Sequence, residues 1–167
     1  MYNIEEQVYE LLKLHNITLT TAESATGGMI ASTLINVPGI SEFFQEGYIT
    51  YSNDAKVKMI GVDETLIDTF GVVSREVAEN MAISAAKTAG TKAALSVTGV
   101  AGPDGGTEDC PVGTVYIGCY LKNQTLVEHH VFEGNRTEVR KKATNRALTL
   151  LIEQIELFRT ASAKSPL

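Results

Sequence analysis

The sequence predicts an α/β domain: a three-layer α/β/α sandwich built on a mixed, mostly parallel sheet of about five strands. Three observations lead there. Short runs rich in β-branched residues alternate with segments of helical period. KAALSVTGV, 92–100, is nearly all apolar, as a strand is when both faces of its sheet are covered. GTVYIGCYL and QTLVEHHVF are separated by Lys122-Asn123 alone, a hairpin that brings an antiparallel neighbour into the sheet.

The elements have local causes, taken in order. Ile4, Val8, Leu11, Leu12 and His15 recur at helical spacing behind Asn3, an N-cap with Glu6 three residues on. ITLTTA, 17–22, is a short β-branched strand. Thr26–Asn36 then shows Ile30, Ala31, Leu34 and Ile35 on one helical face before Pro38-Gly39 stops it. EGYITYS, 46–52, is the next strand, followed by short helical pieces at 53–60 and 63–70. Ser74 caps a helix over 74–90. Its Val77, Ala78, Met81, Ala82, Ala85, Ala86 and Ala89 form a small-residue face suited to close packing, on a sheet or against a second copy in a homo-oligomer. After the strand at 92–100 comes the irregular loop AGPDGGTEDCP, 101–111, then the hairpin, then a helix from about Asn135 to Phe158. Residues 1–160 read as a single domain and 161–167 as a frayed tail.

Composition narrows the function classes. A formal charge of −6 argues against a broad nucleic-acid footprint, which needs clustered Lys and Arg against phosphates. Cys110 and Cys119 make neither a disulfide framework nor a CxxC zinc spacing, as suits a reducing, cytoplasmic compartment. The start, MYNIEEQVYELL, has Glu5 and Glu6 where a signal peptide needs basic residues. The longest uncharged stretch, Ser24 to Ser41, is interrupted by Gly27, Gly28, Asn36, Pro38 and Gly39, so no membrane span is read. The expected partner is a small molecule, with no nucleic acid, membrane, metal or cofactor.

TAESATGG, 21–28, puts an acid, a hydroxyl and two glycines where a strand hands over to a helix. That position suits a nucleophile or a bound anion at Ser24. Ser24 or Thr26 as a plain helix cap is the competing reading. The spacing is not G-x-S-x-G, because Ala22 and Thr26 hold its glycine positions. A serine nucleophile needs a base. His15 ends the first helix and His129-His130 point to opposite faces of a strand, so no histidine has a motif behind it, and lysine or tyrosine is left. TYSNDAKVK, 50–58, supplies Tyr51, Lys56 and Lys58. Lys56 falls in the first turn of a short helix, where the dipole lowers its pKa; Lys58, rotated about 200° away, gains less.

VTGVAGPDGG, 97–106, is a second glycine-rich turn at a strand end. It matches neither G-x-x-x-x-G-K-[ST] nor G-x-G-x-x-G, but its backbone N–H groups would suit a phosphate or an oxyanion. In EGNRTEVRKKA, 133–143, Asn135 and Glu138 form a capping box, yet Arg136 puts a cation in the first turn. The helix dipole disfavours it there unless an anion binds nearby.

The blocks TAESATGG, EGYITYSNDAKVKMIGV, FGVVS, SVTGVAGPDGG, PVGTVYIG and FEGNRTEVRKKA, in that order between about Val8 and Ile155, resemble the C-terminal domain of the competence/damage-inducible protein family, CinA. Free-standing members of that family are nicotinamide-nucleotide amidases of the PncC type. The resemblance implies the three-layer fold and hydrolysis of the carboxamide of nicotinamide mononucleotide to nicotinate mononucleotide and ammonia, by a metal-free serine/lysine hydrolase. It implies Ser24 as nucleophile, Lys56 as base, and Tyr51 as a residue that assists proton transfer or holds the ring. The oxyanion would then meet N–H groups at Ala25, Thr26 and Gly27 or at Thr98 and Gly99. Glu23 would face the pyridinium, and Arg136, Gly105, Gly106 and Thr107 the phosphate. Ala25 stands where relatives often carry cysteine. Larger members have an N-terminal pyrophosphatase-like domain, for which 167 residues leave no room, so that activity is not inferred. Two other readings stay open at this level: a non-catalytic domain that binds a nucleotide or phosphorylated metabolite and regulates a partner, and an amidase for another pyridine or pterin-like amide.

Overall fold

The structure, a computed structural model, describes residues 3–163. Five strands, β1 (Leu19–Glu23), β2 (Phe44–Ile49), β3 (Ala93–Gly99), β4 (Thr114–Leu121) and β5 (Gln124–Val131), form one sheet in the order β2-β1-β3-β4-β5. β1 pairs in parallel with β2 and β3, while β4 is antiparallel to β3 and β5. Four strands therefore point one way and β4 alone runs against them. Lys122 and Asn123 both take positive φ, 47° and 70°, the backbone a two-residue hairpin turn with the right twist demands.

Helices cover both faces. On one side α1 (Ile4–His15), α2 (Met29–Leu34) and α6 (Arg136–Ala163) bury Val8, Leu12, Ile30, Leu34, Val139 and Leu151 against Leu19, Leu95 and Val97. On the other, α3 (Asn53–Ile60), α4 (Glu64–Phe70) and α5 (Arg75–Ala89) pack on Ala22 and Ala94. Neighbours in β3 thus serve opposite cores, which is the period of two that a strand imposes. The two cores explain why 92–100 lacks a polar face: its Ser96 and Thr98 are buried too, and each hydroxyl donates to a backbone carbonyl, Ser96 Oγ to Ala78 at 2.6 Å and Thr98 Oγ1 to Val72 at 2.8 Å. The small-residue face of α5 packs on this chain's own sheet, with Val77, Ala78, Met81, Ala82, Ala85 and Ala86 all buried.

Three boundaries differ from the sequence reading. α2 begins at Met29 rather than Thr26, because Gly27 and Gly28, at φ 57° and 94°, hold a turn there. Ile35 consequently ends outside the buried face, 64% exposed. β2 stops at Ile49, short of Ser52, because the Ser52 hydroxyl accepts the Ala55 N–H at 3.0 Å as N-cap of α3. α6 runs past Phe158 to Ala163, and the rest of the tail expected to fray, 164–167, lies outside the described residues. No described helix is long and apolar enough to cross a membrane.

Helix α5 and the sheet meet where Gly118 of β4 faces the Ala78 carbonyl. A Cβ on Gly118 would lie 2.8 Å from that oxygen and against Ser96 Oγ. Gly118→Ala is expected to push α5 off the sheet and lower the unfolding free energy by about 1–3 kcal/mol, read from urea titration.

Candidate active site

β1, β2 and β3 all finish at one edge of the sheet, at Glu23, Ile49 and Gly99. The chain leaves β1 for α2 on one face and β2 for α3 on the other, and such a divergence opens a crevice outside the carboxyl ends. Strand alternation sorts the last residues of β1. Ala22 faces the core under α3 to α5, Glu23 faces α2, and Ser24, whose N–H still pairs with the Val97 carbonyl at 2.9 Å, faces the α3 side again.

Lys56 comes to meet it. One helical turn before Ile60, it is buried with that residue on the inner side of α3 and is 1% exposed. Its Nζ lies 3.2 Å from Ser24 Oγ and donates to the Thr50 carbonyl at 2.9 Å. Loss of water disfavours the ammonium and pushes the Lys56 pKa from 10.5 down to about 8. No carboxylate pairs with it among the described residues. Lys58 is exposed.

The turn after Ser24 is held from several directions. Its carbonyl accepts the Gly27 N–H at 3.1 Å. The Glu23 carboxylate, 1% exposed, accepts N–H groups of Gly28 and Ile30 on Oε2, each at 3.0 Å, and of Ala31 on Oε1 at 2.9 Å. From α6, Arg140 donates Nε to the Ala25 carbonyl at 3.1 Å and Nη2 to the Thr26 carbonyl at 2.8 Å. The N–H groups of Ala25 and Thr26 meet no acceptor among the described residues.

A cleft of about 260 Å³ opens at Ser24 and Lys56. Ala25, Thr98, Gly99 and Ala101 line it from the strand ends, Val72 and Val73 from the segment before α5, Tyr51 and Asn53 from the start of α3, and Arg136 from α6. Gly99 has no room for a side chain, since a Cβ would lie 2.6 Å from the Thr114 carbonyl. Arg136 bridges the rim: Nη1 donates to the Gly102 carbonyl and Nη2 to the Tyr51 hydroxyl, both at 2.8 Å.

The structure brings Ser24, Ala25, Tyr51, Lys56, Thr98, Gly99 and Arg136 to this cleft, sets Thr26 just behind the lining with its N–H free, and corrects the others. Glu23 faces α2, both its oxygens are occupied, and it is not placed to meet a pyridinium. Neither Ser24 nor Thr26 caps α2; the N-cap is Gly28 and the acceptor is Glu23. Gly27 N–H is already used within the turn, which leaves Ala25 and Thr26 as the free N–H groups of that expected set. Gly105, Gly106 and Thr107 are exposed and outside the lining, because the loop closes on itself: the Thr107 N–H donates to the Cys110 carbonyl and Thr107 Oγ1 accepts the Cys110 N–H. Of the expected phosphate group, Arg136 alone remains. Arg140 was missed, although its position four residues after Arg136 puts both on one side of a helix. Among the described residues no three His, Cys, Asp or Glu side chains gather to hold a metal ion.

Fold and geometry define an α/β domain with a half-buried serine against a buried lysine at the carboxyl edge of its sheet. Residues 1–155 match the CinA C-terminal domain, and the chain belongs to that family. It is 50% identical over 149 residues to a Clostridium beijerinckii protein provisionally named competence-damage inducible protein, covering 89% of this chain and 36% of that one. It is 48% identical over 146 residues to a CinA-like protein of Kosmotoga olearia, covering 87% and 35%. The chain thus spans little more than a third of the length of these relatives. Among solved structures, the competence/damage inducible protein CihA of Agrobacterium tumefaciens is similar with a TM-score of 0.85 at 37% identity, covering 92% of this chain and 96% of that one. A CinA superfamily protein of Klebsiella pneumoniae gives 0.87 at 28% identity, covering 93% and 99%.

Glu23→Gln would turn an amide NH2 toward backbone donors that now meet carboxylate oxygen. The variant is expected to lose about 1–3 kcal/mol of stability in urea unfolding, with the loss concentrated in the turn and α2 by amide hydrogen exchange.

Proposed function

We propose that this domain hydrolyses the carboxamide of nicotinamide mononucleotide, giving nicotinate mononucleotide and ammonia. The observation that carries the reading is the approach of Lys56 Nζ to within 3.2 Å of Ser24 Oγ by an amine kept from water. With a pKa near 8, about one lysine in ten is neutral at pH 7. The neutral amine keeps an N–H on the Thr50 carbonyl and turns its lone pair to the serine hydroxyl. Lys56 takes the Ser24 proton as Oγ attacks the carboxamide carbon. Charge develops on the carboxamide oxygen, for which the unpaired N–H groups of Ala25 and Thr26 are the donors. The tetrahedral intermediate collapses as the Lys56 ammonium protonates the amide nitrogen; the C–N bond breaks and ammonia leaves. Water, deprotonated by the same amine, then cleaves the Ser24 ester and releases the carboxylate.

The lining supports a substrate that is cationic at one end and anionic at the other. Tyr51 brings an aromatic ring to the cleft, suited to a pyridinium face, and no carboxylate competes there. Arg136 at the rim suits a phosphate, which would take over the donor now on the Tyr51 hydroxyl. The cleft is slightly smaller than the roughly 300–1,000 Å³ usual for ligand sites, so the pyridine carboxamide would fill it and the ribose phosphate would lie across the rim.

An ammonia assay over nicotinamide, its mononucleotide and its dinucleotide tests the reading. The mononucleotide is expected to be the preferred substrate, and Ser24→Ala to reduce release to about 10⁻³ of wild type or below while remaining folded. Wild-type binding of the mononucleotide without ammonia would place the domain among regulatory binding modules instead.

Lys56 predicts linked pH effects. Its folded pKa, about 8, lies below the unfolded value of 10.5, so between them the unfolded chain holds the extra proton. The burial penalty is therefore fully present below pH 8 and is relieved by about 1.4 kcal/mol per pH unit as pH rises toward 10.5. Lys56→Met should abolish turnover, remove that slope, and gain about 2–3 kcal/mol at pH 7. Wild-type kcat/KM should climb through pH 8 to a plateau, checked by rate and unfolding profiles on the same samples.

A further inference from the structure

Two successive carbonyls of the Ser24 turn, those of Ala25 and Thr26, point to a single guanidinium, that of Arg140. In a trans peptide the C=O of one residue and the N–H of the next are antiparallel, and the only cis bond among the described residues is Gly102-Pro103. Holding the Ala25 oxygen toward α6 therefore aims the Thr26 N–H the opposite way. The Ser24 oxygen, held by the Gly27 N–H, fixes the direction of the Ala25 N–H in the same manner. The two N–H groups after the serine are thus oriented by one contact inside the turn and one from Arg140, and both lack an acceptor. Arg140 pairs with no carboxylate among the described residues, and its side-chain hydrogen bonds there are to the two turn carbonyls. Arginine suits the task better than lysine, because its planar fork spans two acceptors at a fixed separation.

We infer that Arg140 is a positioning residue that sets the oxyanion donor of Thr26 directly and that of Ala25 through the Thr26–Gly27 peptide, whose N–H holds the Ser24 carbonyl, an inference that rests on the amidase reading. It touches neither the serine hydroxyl nor the lysine amine. It acts through the direction of two peptide planes, and its loss falls on the transition state rather than on substrate binding.

The test compares Arg140→Ala, Arg140→Met and Arg140→Lys with wild type in ammonia release from nicotinamide mononucleotide, with circular dichroism as the fold check. In the Ala and Met variants kcat is expected to fall about 100-fold, the scale of one lost oxyanion donor, with KM within about threefold. Millimolar guanidinium should restore turnover in Arg140→Ala, where the side-chain space is vacant, and not in Arg140→Met, while Arg140→Lys should be intermediate. Wild-type kcat in folded Arg140→Ala, a loss carried entirely by KM, or failure of all three variants to fold would overturn the inference. If wild type releases no ammonia, the amidase reading fails separately, and fluorophosphonate labelling then judges Arg140 alone. In that reaction the Ser24 Oγ–P bond forms, fluoride leaves and the hydroxyl proton passes to Lys56. Labelling slowed about 100-fold in Arg140→Ala supports the positioning role; equal rates, or no labelling of wild-type Ser24, overturn it.

Discussion

An amine held out of water without a counter-ion is the condition on which the rest of the site depends. Lys56 is buried against a hydroxyl and a carbonyl, and a carboxylate at the same distance would reverse the effect by stabilising the ammonium. The chain has 20 acidic residues, yet none lines the cleft. The carbonyl that holds the amine is itself set by the sheet. Thr50 N–H pairs with the Glu23 carbonyl at 2.9 Å, one step beyond the Glu23–Ile49 partners of the parallel ladder. Strand register, turn and amine position are therefore one constraint.

The turn itself depends on a division among donors. Glu23 takes the N–H groups of residues 28, 30 and 31, and the Ser24 carbonyl takes that of residue 27. What is left over is the pair that follows the serine. The carboxylate also neutralises the positive end of α2, which is why that end offers nothing to an external anion despite its glycines. An internal anion on one side of the turn and a cation from α6 on the other hold a backbone that glycines alone would leave loose.

Much of this was legible in the sequence where the cause is local. The layered fold followed from the apolar run at 92–100 and the two-residue hairpin, and the helical phases of Lys56 and Lys58 already placed them on different sides of α3, although burial rather than the helix dipole is what lowers the Lys56 pKa. The same alternation rule, applied to adjacent Glu23 and Ser24, already separates them to opposite faces; assigning both to one ligand overlooked it. The loop at 101–111 was harder to read. Glycines that would suit a phosphate also permit a loop to fold on itself, and Gly106 does so against Val112, where a Cβ would lie 2.7 Å from a backbone nitrogen. Spacing from Arg136 gave Arg140 a side of the helix but not a partner, because the carbonyls it bonds lie more than a hundred positions away and leave no mark on local pattern.

The antiparallel hairpin appears remote from the chemistry only in the strand order. After β3 the chain stands at the carboxyl edge; β4 carries it away and β5 brings it back, so α6 starts at the edge where Ser24 lies. The first turns of α6 then carry Arg136 to the rim of the cleft and Arg140 to the turn. Further along the same helix, Arg146 forms paired 2.7 Å contacts with Glu128 of β5 and also bonds Glu153; the Arg146 contacts to Glu128, helped by His130, outweigh burial to hold the Glu128 carboxyl down to about 2. Helix α6 is thus tied to the outer strand at one point and to the serine turn at another. A shift of the hairpin relative to β3 would be transmitted to both arginines together, which makes the mixed topology part of the site rather than a scaffold beside it.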